Sequence, residues 1–399
     1  MKLNEWVVYA AVIIFSALFL FVGNRIAYTP LNRAEFMDMQ QHYAAVVLSI
    51  ESREVTQFEQ PWGWSGDDDA TSTRIIFTAR ITERGSRQGD VVTVEQYIAD
   101  FFIVNEREIS VSDRIMVTFD DWDGLYHFTG YIRINYVIIL GVIFLALMIV
   151  FARKKGFNAI VALGFTCTAV FLVFIPAILS GKNIYLTTLI VCAYAIVSTL
   201  LIVIGANRKA FSAMLGCLGG VLTAGFLMFL MDRLMHLTGA LDRETTSLLH
   251  LPIANPIDLR ALVFAGVILG AVGAIMDVAM SISSSLWEVK EAGGTNDFRT
   301  LFASGVNIGK DILGTMLNTL ILAYIGSSMT LILLIVVYTT SYTSLFNMEM
   351  ITVEFLRALV GSFGMLLTVP LTAAICGWLY NREADTRRDE WDAYFGGGR

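Results

Sequence analysis

The sequence predicts an α-helical polytopic membrane protein of about eight or nine transmembrane helices, with a small extracytoplasmic all-β, OB-like domain inserted after the first helix. Three observations predict it. Hydrophobic residues make up 56% of the 399 positions, charged residues only 16%, and the mean hydropathy is +0.64, above what a soluble chain of this length shows. The apolar residues form uncharged blocks that suit helical spans of about 20 residues better than barrel strands of about 10. One polar stretch instead alternates β-branched and aromatic residues with polar ones, between turn formers.

Residues 1–26 read as a transmembrane anchor. Lys2 precedes an apolar run from Trp6 to Val22, and no A-x-A-like cleavage site follows it, which predicts an uncleaved helix rather than a signal peptide. Residues 27–133 form the extracytoplasmic β-rich segment. AAVVLSI, TRIIFTARIT, DVVTVEQYI, REISVSDRIMVTF and LYHFTGYIRI read as short strands separated by Gly, Asp and Ser clusters. The insert PWGWSGDDDATS carries Asp67, Asp68 and Asp69. Calcium ligands normally come at alternating positions rather than in a block, so this insert reads as a solvated loop.

Residues 134–380 form the helical bundle, with spans expected near 136–152, 158–179, 183–204, 211–231, 259–286, 306–325, 328–346 and 355–380. Residues 381–399 are a polar tail ending in GGGR. Arg153, Lys154 and Lys155, then Arg208 and Lys209, lie at the ends of alternate spans and should be cytoplasmic. Lys290 and Arg299 then also fall inside. The tail conflicts: about nine spans would leave Arg382, Arg387 and Arg388 outside, unless one late segment is re-entrant or the tail departs from the rule. In the outer loop, Met231, Leu234, Met235, Leu237 and Leu241 predict a helix lying on the membrane surface. After it, Asn255, Pro256 and Asp258 read as N-cap, first residue and third residue of the next span.

Two of the spans carry polar stripes. In GAIMDVAMSISSSLWEV, Asp277, Ser281, Ser284 and Glu288 are spaced by four, three and four residues and so share one helical face. An ionised carboxylate at the bilayer centre costs about 2.5 to 3.5 kcal/mol on insertion scales, which is tolerated where it meets water, a partner charge or a ligand. Gly266, Gly270 and Gly273 lie upstream at spacings that let another helix approach. The following span, SGVNIGKDILGTMLNTLILAYIG, repeats the device with Asn307, Asp311, Thr315 and Asn318 on one face, Lys310 beside them and Gly305, Gly309 and Gly314 interspersed. The economical expectation is that the two stripes face each other. Serine and threonine hydroxyls in membrane helices also bond their own carbonyls or hold helices together, so Asp277 carries the functional reading more than the serines do. Glu349, Glu354 and Arg357 read as edge charges of the last span. Pro370 lies inside that span and is expected to kink it.

Several functions are set aside by what the residues lack. A formal net charge of −7 without a basic stripe argues against nucleic acid. His42, His127, His236 and His250 all fall in the external segment or loops, which leaves no membrane-embedded Ser–His pair. No G-x-x-x-x-G-K-[ST] occurs. Cys167, Cys192, Cys217 and Cys376 lie in apolar stretches outside any C-x-x-C pair and read as packing residues. No cofactor is expected, and metal binding stays open.

The motifs GAIMDVAMSISSSLWEV, NIGKDILGTMLNTLILAYIGS and VPLTA resemble those of the YibE/F family of bacterial multi-pass membrane proteins, over roughly Tyr136 to Tyr380. The resemblance implies a bacterial cell-membrane location and names no substrate. Its characteristic polar positions correspond to Asp277, Ser281, Ser284, Glu288, Lys310, Asp311, Asn318 and Pro370. The residues themselves favour a non-enzymatic secondary transporter or permease for an ion or small cationic solute, with Asp277 in the path. The alternative is a non-transporting receptor or assembly factor whose β domain binds a ligand or envelope partner. Expected partners are the lipid bilayer and an unidentified ion or solute, with a homo-oligomer left open.

Overall fold

The computed structural model describes residues 5–27, 42–57, 71–83, 85, 87–99, 107–120, 124–251, 253, 255–293, 297–338 and 341–395. The acidic block Asp67–Asp69 and the terminal GGGR lie outside the described residues. The chain divides into two compact units, Pro30–Leu147 and Met1–Thr29 with Met148–Arg399.

In the first unit five strands close into a barrel: β1 (His42–Gln57), β2 (Thr71–Ile81), β3 (Val91–Ala99), β4 (Arg114–Phe119) and β5 (Tyr126–Tyr131), in the order β1-β2-β3-β5-β4. The β3–β5 pair is parallel and the other neighbours antiparallel. Closure falls to β1, whose register shifts at Val47/Ser49 and Ile50/Ser52 bend it: residues 42–46 pair with β4 and residues 45–57 with β2, so that Ala45 and Val46 join both neighbours. The period-two pattern read from the sequence becomes the core: Ile75, Phe77, Ala79 and Ile81 point inward from β2 and meet Val94, Ile98, Ile115 and Val117.

The second unit is helical. Its elements are α1 (Glu5–Ala27), α2 (Ile134–Ala169, continuing from the first unit and through a π-helical turn into α3, Ile175–Leu179), α4 (Ile184–Ile204), α5 (Arg208–Met235), the short α6 (Arg243–Ser247), α7 (Leu259–Gly293), α8 (Phe298–Ser327), α9 (Met329–Tyr338), α10 (Tyr342–Asn347) and α11 (Glu349–Phe395). Among the described residues seven helices are long and apolar enough to cross a membrane. This makes a helical polytopic membrane protein. The run Ile134–Leu179 is 46 residues long, but Arg153 adopts φ 47°, ψ −122° and breaks it between the two spans read from the sequence.

The helices pack in clear directions. On α1, Gly23 lies against Val173, and the Ala27 carbonyl accepts the Ser180 hydroxyl, so α1 runs parallel to the stretch ending at Leu179. Added Cβ atoms at Gly216 and Gly220 of α5 would collide with Thr372 and Thr368 of α11, an antiparallel seam. Gly364 of α11 faces Ile275 of α7, and Gly361 faces Ala271, a parallel pair. Gly305 and Gly309 of α8 face Ala373 and Val369 of α11, again antiparallel. Each glycine removes the side chain that would hold two backbones apart.

Three expectations are corrected. The span expected at 328–346 is the 10-residue α9 and the 6-residue α10; at 1.5 Å per residue α9 reaches about 15 Å, half a bilayer core. The Ser328 hydroxyl donates to Glu354 Oε2 at 2.8 Å, so the chain leaves α8 and enters α11 at the same end. The stretch 231–241 is not a separate helix: Met231–Met235 is the last turn of α5, His236 ends it in the left-handed conformation, and Gly239 at φ 80° turns the chain back. The next helix starts at Leu259 rather than at Pro256, because the Asp258 carboxylate accepts the N–H groups of Arg260 and Ala261 and is itself the cap.

Candidate functional site

Helices α7 and α8 lie side by side on α11. The antiparallel register between them is fixed where Leu286 of α7 meets Gly305, where Tyr324 of α8 meets Gly270, and where Ala271 and Leu320 both reach Gly361. That register sets Asp277 at the depth of Thr315 and Ser281 at the depth of Asp311.

On α7, Ala271, Ile275, Ile282 and Leu286 are buried, while Gly266, Gly270, Gly273, Asp277 and Glu288 on the opposite side are exposed and Ser281 and Ser284 half-buried. On α8 the four-residue row Leu301, Gly305, Gly309 and Leu313 is buried. Asn307, Lys310, Asp311, Gly314, Thr315 and Asn318 are exposed, on the flank and far side of a helix that turns about 100° per residue. Both stripes therefore turn away from α11. Neither stripe is buried against the other helix, so the two do not oppose each other across a seam: α8 spends its glycine row on α11 and its polar row is what remains.

Nothing among the described residues neutralises this face. Among the described residues Asp277, Ser281, Ser284, Glu288, Asn307, Lys310, Asp311 and Asn318 make no hydrogen bond or ion pair; the Thr315 hydroxyl donates to the Ile312 carbonyl of its own helix at 3.0 Å. Cβ atoms added at Gly273 and Gly314 would meet nothing within 4 Å. An open, glycine-bearing track therefore runs past a carboxylate deep in the apolar segment. Pro370 belongs to α11, which continues through it as one helix. Ser283, beside the stripe, is buried, donates to the Lys209 carbonyl at 2.7 Å and lies 3.0 Å from the Tyr380 hydroxyl, and so belongs to packing.

At the other end of the track is a polar cluster. Arg357 Nη1 is 2.6 Å from Glu354 Oε1, and the second Glu354 oxygen takes the Ser328 hydroxyl. The Tyr324 hydroxyl lies 3.0 Å from where a Cβ on Gly270 would sit, and Arg357 Nη2 lies 3.9 Å from the equivalent point on Gly266. Among the described residues the Tyr324 hydroxyl and Arg357 Nε are buried without a partner. Two of the α7 glycines thus make room for polar groups, an ion pair sits at one end of the stripe, and Glu288 closes the other. Among the described residues no three His, Cys, Asp or Glu side chains group as metal ligands.

The family model described as YibE/F-like protein matches residues 140–382, more than half of the chain. The chain belongs to the YibE/F-like family. No curated protein and no solved structure matches it. The YibE/F-like region contains both stripes and the Glu354–Arg357 pair. Sequence reading treated Glu354 and Arg357 as edge charges and passed over Tyr324 and Ser328. The i, i+3 spacing of Glu354 and Arg357 was the available signal.

Proposed function

We propose that this YibE/F-like protein is a secondary-type transporter or permease for an ion or small cationic solute, and that Asp277 is its binding carboxylate. The observation that carries this reading is an acidic side chain on an apolar helix, without a hydrogen-bond or ion-pair partner among the described residues, on a face kept open by Gly273 and Gly314. A carboxylate so placed is favoured only if water, a cation or a proton joins it.

The helix directions support a topology. Seven apolar helices, one of them divided at Arg153, make eight crossings, with α9 returning to its own side. Eight crossings with the N-terminus inside bring Arg382, Arg387 and Arg388 inside together with Arg153, Lys154, Lys155, Arg208 and Lys209, which removes the conflict of a nine-span reading. The OB-type barrel segment is then extracytoplasmic and the membrane is the bacterial cell membrane.

An outward polar stripe on α8 also has to be covered in lipid. We take the cover to be a second copy of this chain, because the neighbours Lys310 and Asp311 make the face self-complementary about a two-fold axis normal to the membrane. The test is proteoliposome flux under a panel of cation gradients. Asp277→Asn is expected to cut flux at least about tenfold, the loss of about 1.4 kcal/mol of binding, without lowering the melting temperature. Wild-type flux in this variant, or no flux from folded wild-type protein across the panel and with an imposed voltage, overturns the reading.

A further inference from the structure

A second site stands at the end of α5, away from the α7–α8 face. A cavity of about 660 Å³ is lined by Asp232, Arg233, His236, Leu237, Thr238 and Arg260. Asp232 retains only 6% of its surface, and its Oδ1 is buried with no hydrogen-bond partner among the described residues. A buried carboxylate oxygen without a donor is unfavourable, and more so when charged. Arg233 and Arg260 are exposed at the rim, and among the described residues neither pairs with Asp232. Arg233 lies 5.2 Å over the Phe229 ring, which fixes its direction.

The wall of this cavity is built rather than incidental. Glu349 at the start of α11 accepts the N–H groups of Thr238 at 2.7 Å and Gly239 at 2.6 Å, while its other oxygen takes the Thr238 hydroxyl at 2.7 Å. Gly239 could not be another residue: its φ is 80°, and a Cβ would stand 2.7 Å from the Arg260 nitrogen. The turn is thus clamped between α11 and the start of α7, with Asp232 beneath it.

We propose that this cavity binds a zwitterion joining a primary ammonium to an anionic oxyacid group. The ammonium supplies the N–H donors that Asp232 lacks, and the oxyanion meets the Arg233 and Arg260 guanidiniums, which suit planar oxyanions. A quaternary ammonium carries no N–H and fails the first requirement. Two sources share the chemistry: an ethanolamine lipid headgroup, or a free solute such as phosphoethanolamine. The inference is independent of the transport reading.

The test uses the full-length protein in phosphatidylcholine nanodiscs, titrated with phosphoethanolamine, ethanolamine and inorganic phosphate up to about 10 mM, well above a Kd on the order of 1 mM. Phosphoethanolamine is expected to raise the melting temperature and to bind at least about tenfold more tightly than either half. Asp232→Asn and Arg260→Gln should each weaken it about tenfold. Arg260 is exposed, so its variant keeps the test decisive if the Asp232 variant does not fold. In native mass spectrometry from bilayers with equal phosphatidylethanolamine and phosphatidylglycerol, selective retention of the former, lost in both variants, identifies the lipid. Phosphoethanolamine binding without such retention identifies the free solute. Phosphate binding as tightly as phosphoethanolamine, undiminished binding in Arg260→Gln, or neither binding nor retention overturns the proposal.

Discussion

Two parts of the bundle are written in the same residues and are physically opposite. Along the α5–α11 seam, Gly216 and Gly220 receive Thr372 and Thr368, and an added Cβ at Gly220 would also stand 2.9 Å from Ile275 Cγ2. Along the α7–α8 face, Gly273 and Gly314 stand among Asp277, Thr315 and Asn318 with nothing within 4 Å of their added Cβ atoms. Glycine beside a hydroxyl is therefore not one signal. In the first place it lets backbones close; in the second it leaves polar side chains uncovered. The difference lies in what the neighbouring helix presents, which no local sequence pattern states.

The largest effect should come from testing that difference directly. Gly220→Ala must push the Thr368 hydroxyl and Ile275 aside, and overpacking of this kind costs about 1 to 3 kcal/mol. Gly273→Ala meets open space in a helix and should hold or raise stability, since Ala exceeds Gly by about 0.8 to 1 kcal/mol in helix interiors. Melting temperatures in one detergent decide it. Equal stability of the two variants would erase the distinction.

Next comes the ion pair that closes one end of the open face. Glu354→Gln leaves Arg357 without its charged partner and weakens the tie to Ser328, with side chains 31% and 21% exposed for Arg357 and Glu354. Partial exposure discounts the cost to about 1 to 2 kcal/mol. Because Tyr324 and Arg357 sit over Gly270 and Gly266, flux should fall more than stability does. A variant that loses stability and flux in proportion would make this end packing like the α5–α11 seam.

How far the sequence revealed this contrast can be traced residue by residue. The spacing of Asp277, Ser281, Ser284 and Glu288 placed them on one face correctly, because a helix fixes its own angular positions. The same spacing includes no information on neighbours, so Ser283, one residue from the stripe, was not separable as the partner of Tyr380. The barrel strands were legible through their period-two alternation; the β1 bend that closes the barrel depends on register and was not. The Arg153 break fell between two expected spans, where a Arg-Lys-Lys run interrupts the apolar pattern. The ten residues of α9 read as a span because hydropathy does not reveal that Ser328 and Glu354 meet.

Accessibility gives a smaller, finer test. With exposed Cys167 replaced by Ser, cysteines at Ser281 and Asn318 should react with small aqueous thiol reagents, and one at Thr372 should be protected. Cysteine at Asn318 should also cross-link two copies under mild oxidation if a second chain covers α8. Protection at Ser281 and Asn318 alike would turn the open face into a dry seam.

The smallest effect concerns the hydroxyls of the closed seam. Among the described residues Thr372 Oγ1 is buried without a partner, whereas Thr368 Oγ1 donates to the Gly364 carbonyl at 2.7 Å. Replacing an unsatisfied buried hydroxyl by a methyl of the same shape removes a desolvated polar group, so Thr372→Val should be neutral or stabilising by up to about 1 kcal/mol. Thr368→Val forfeits a hydrogen bond and should cost about 0.5 to 1.5 kcal/mol. Neither should change flux, since both hydroxyls serve the fit of α11 against Gly216 and Gly220. If Thr372→Val instead lowered flux at full stability, the buried hydroxyl would be in use, and the path would pass through the seam that packing closes rather than along the face it leaves open.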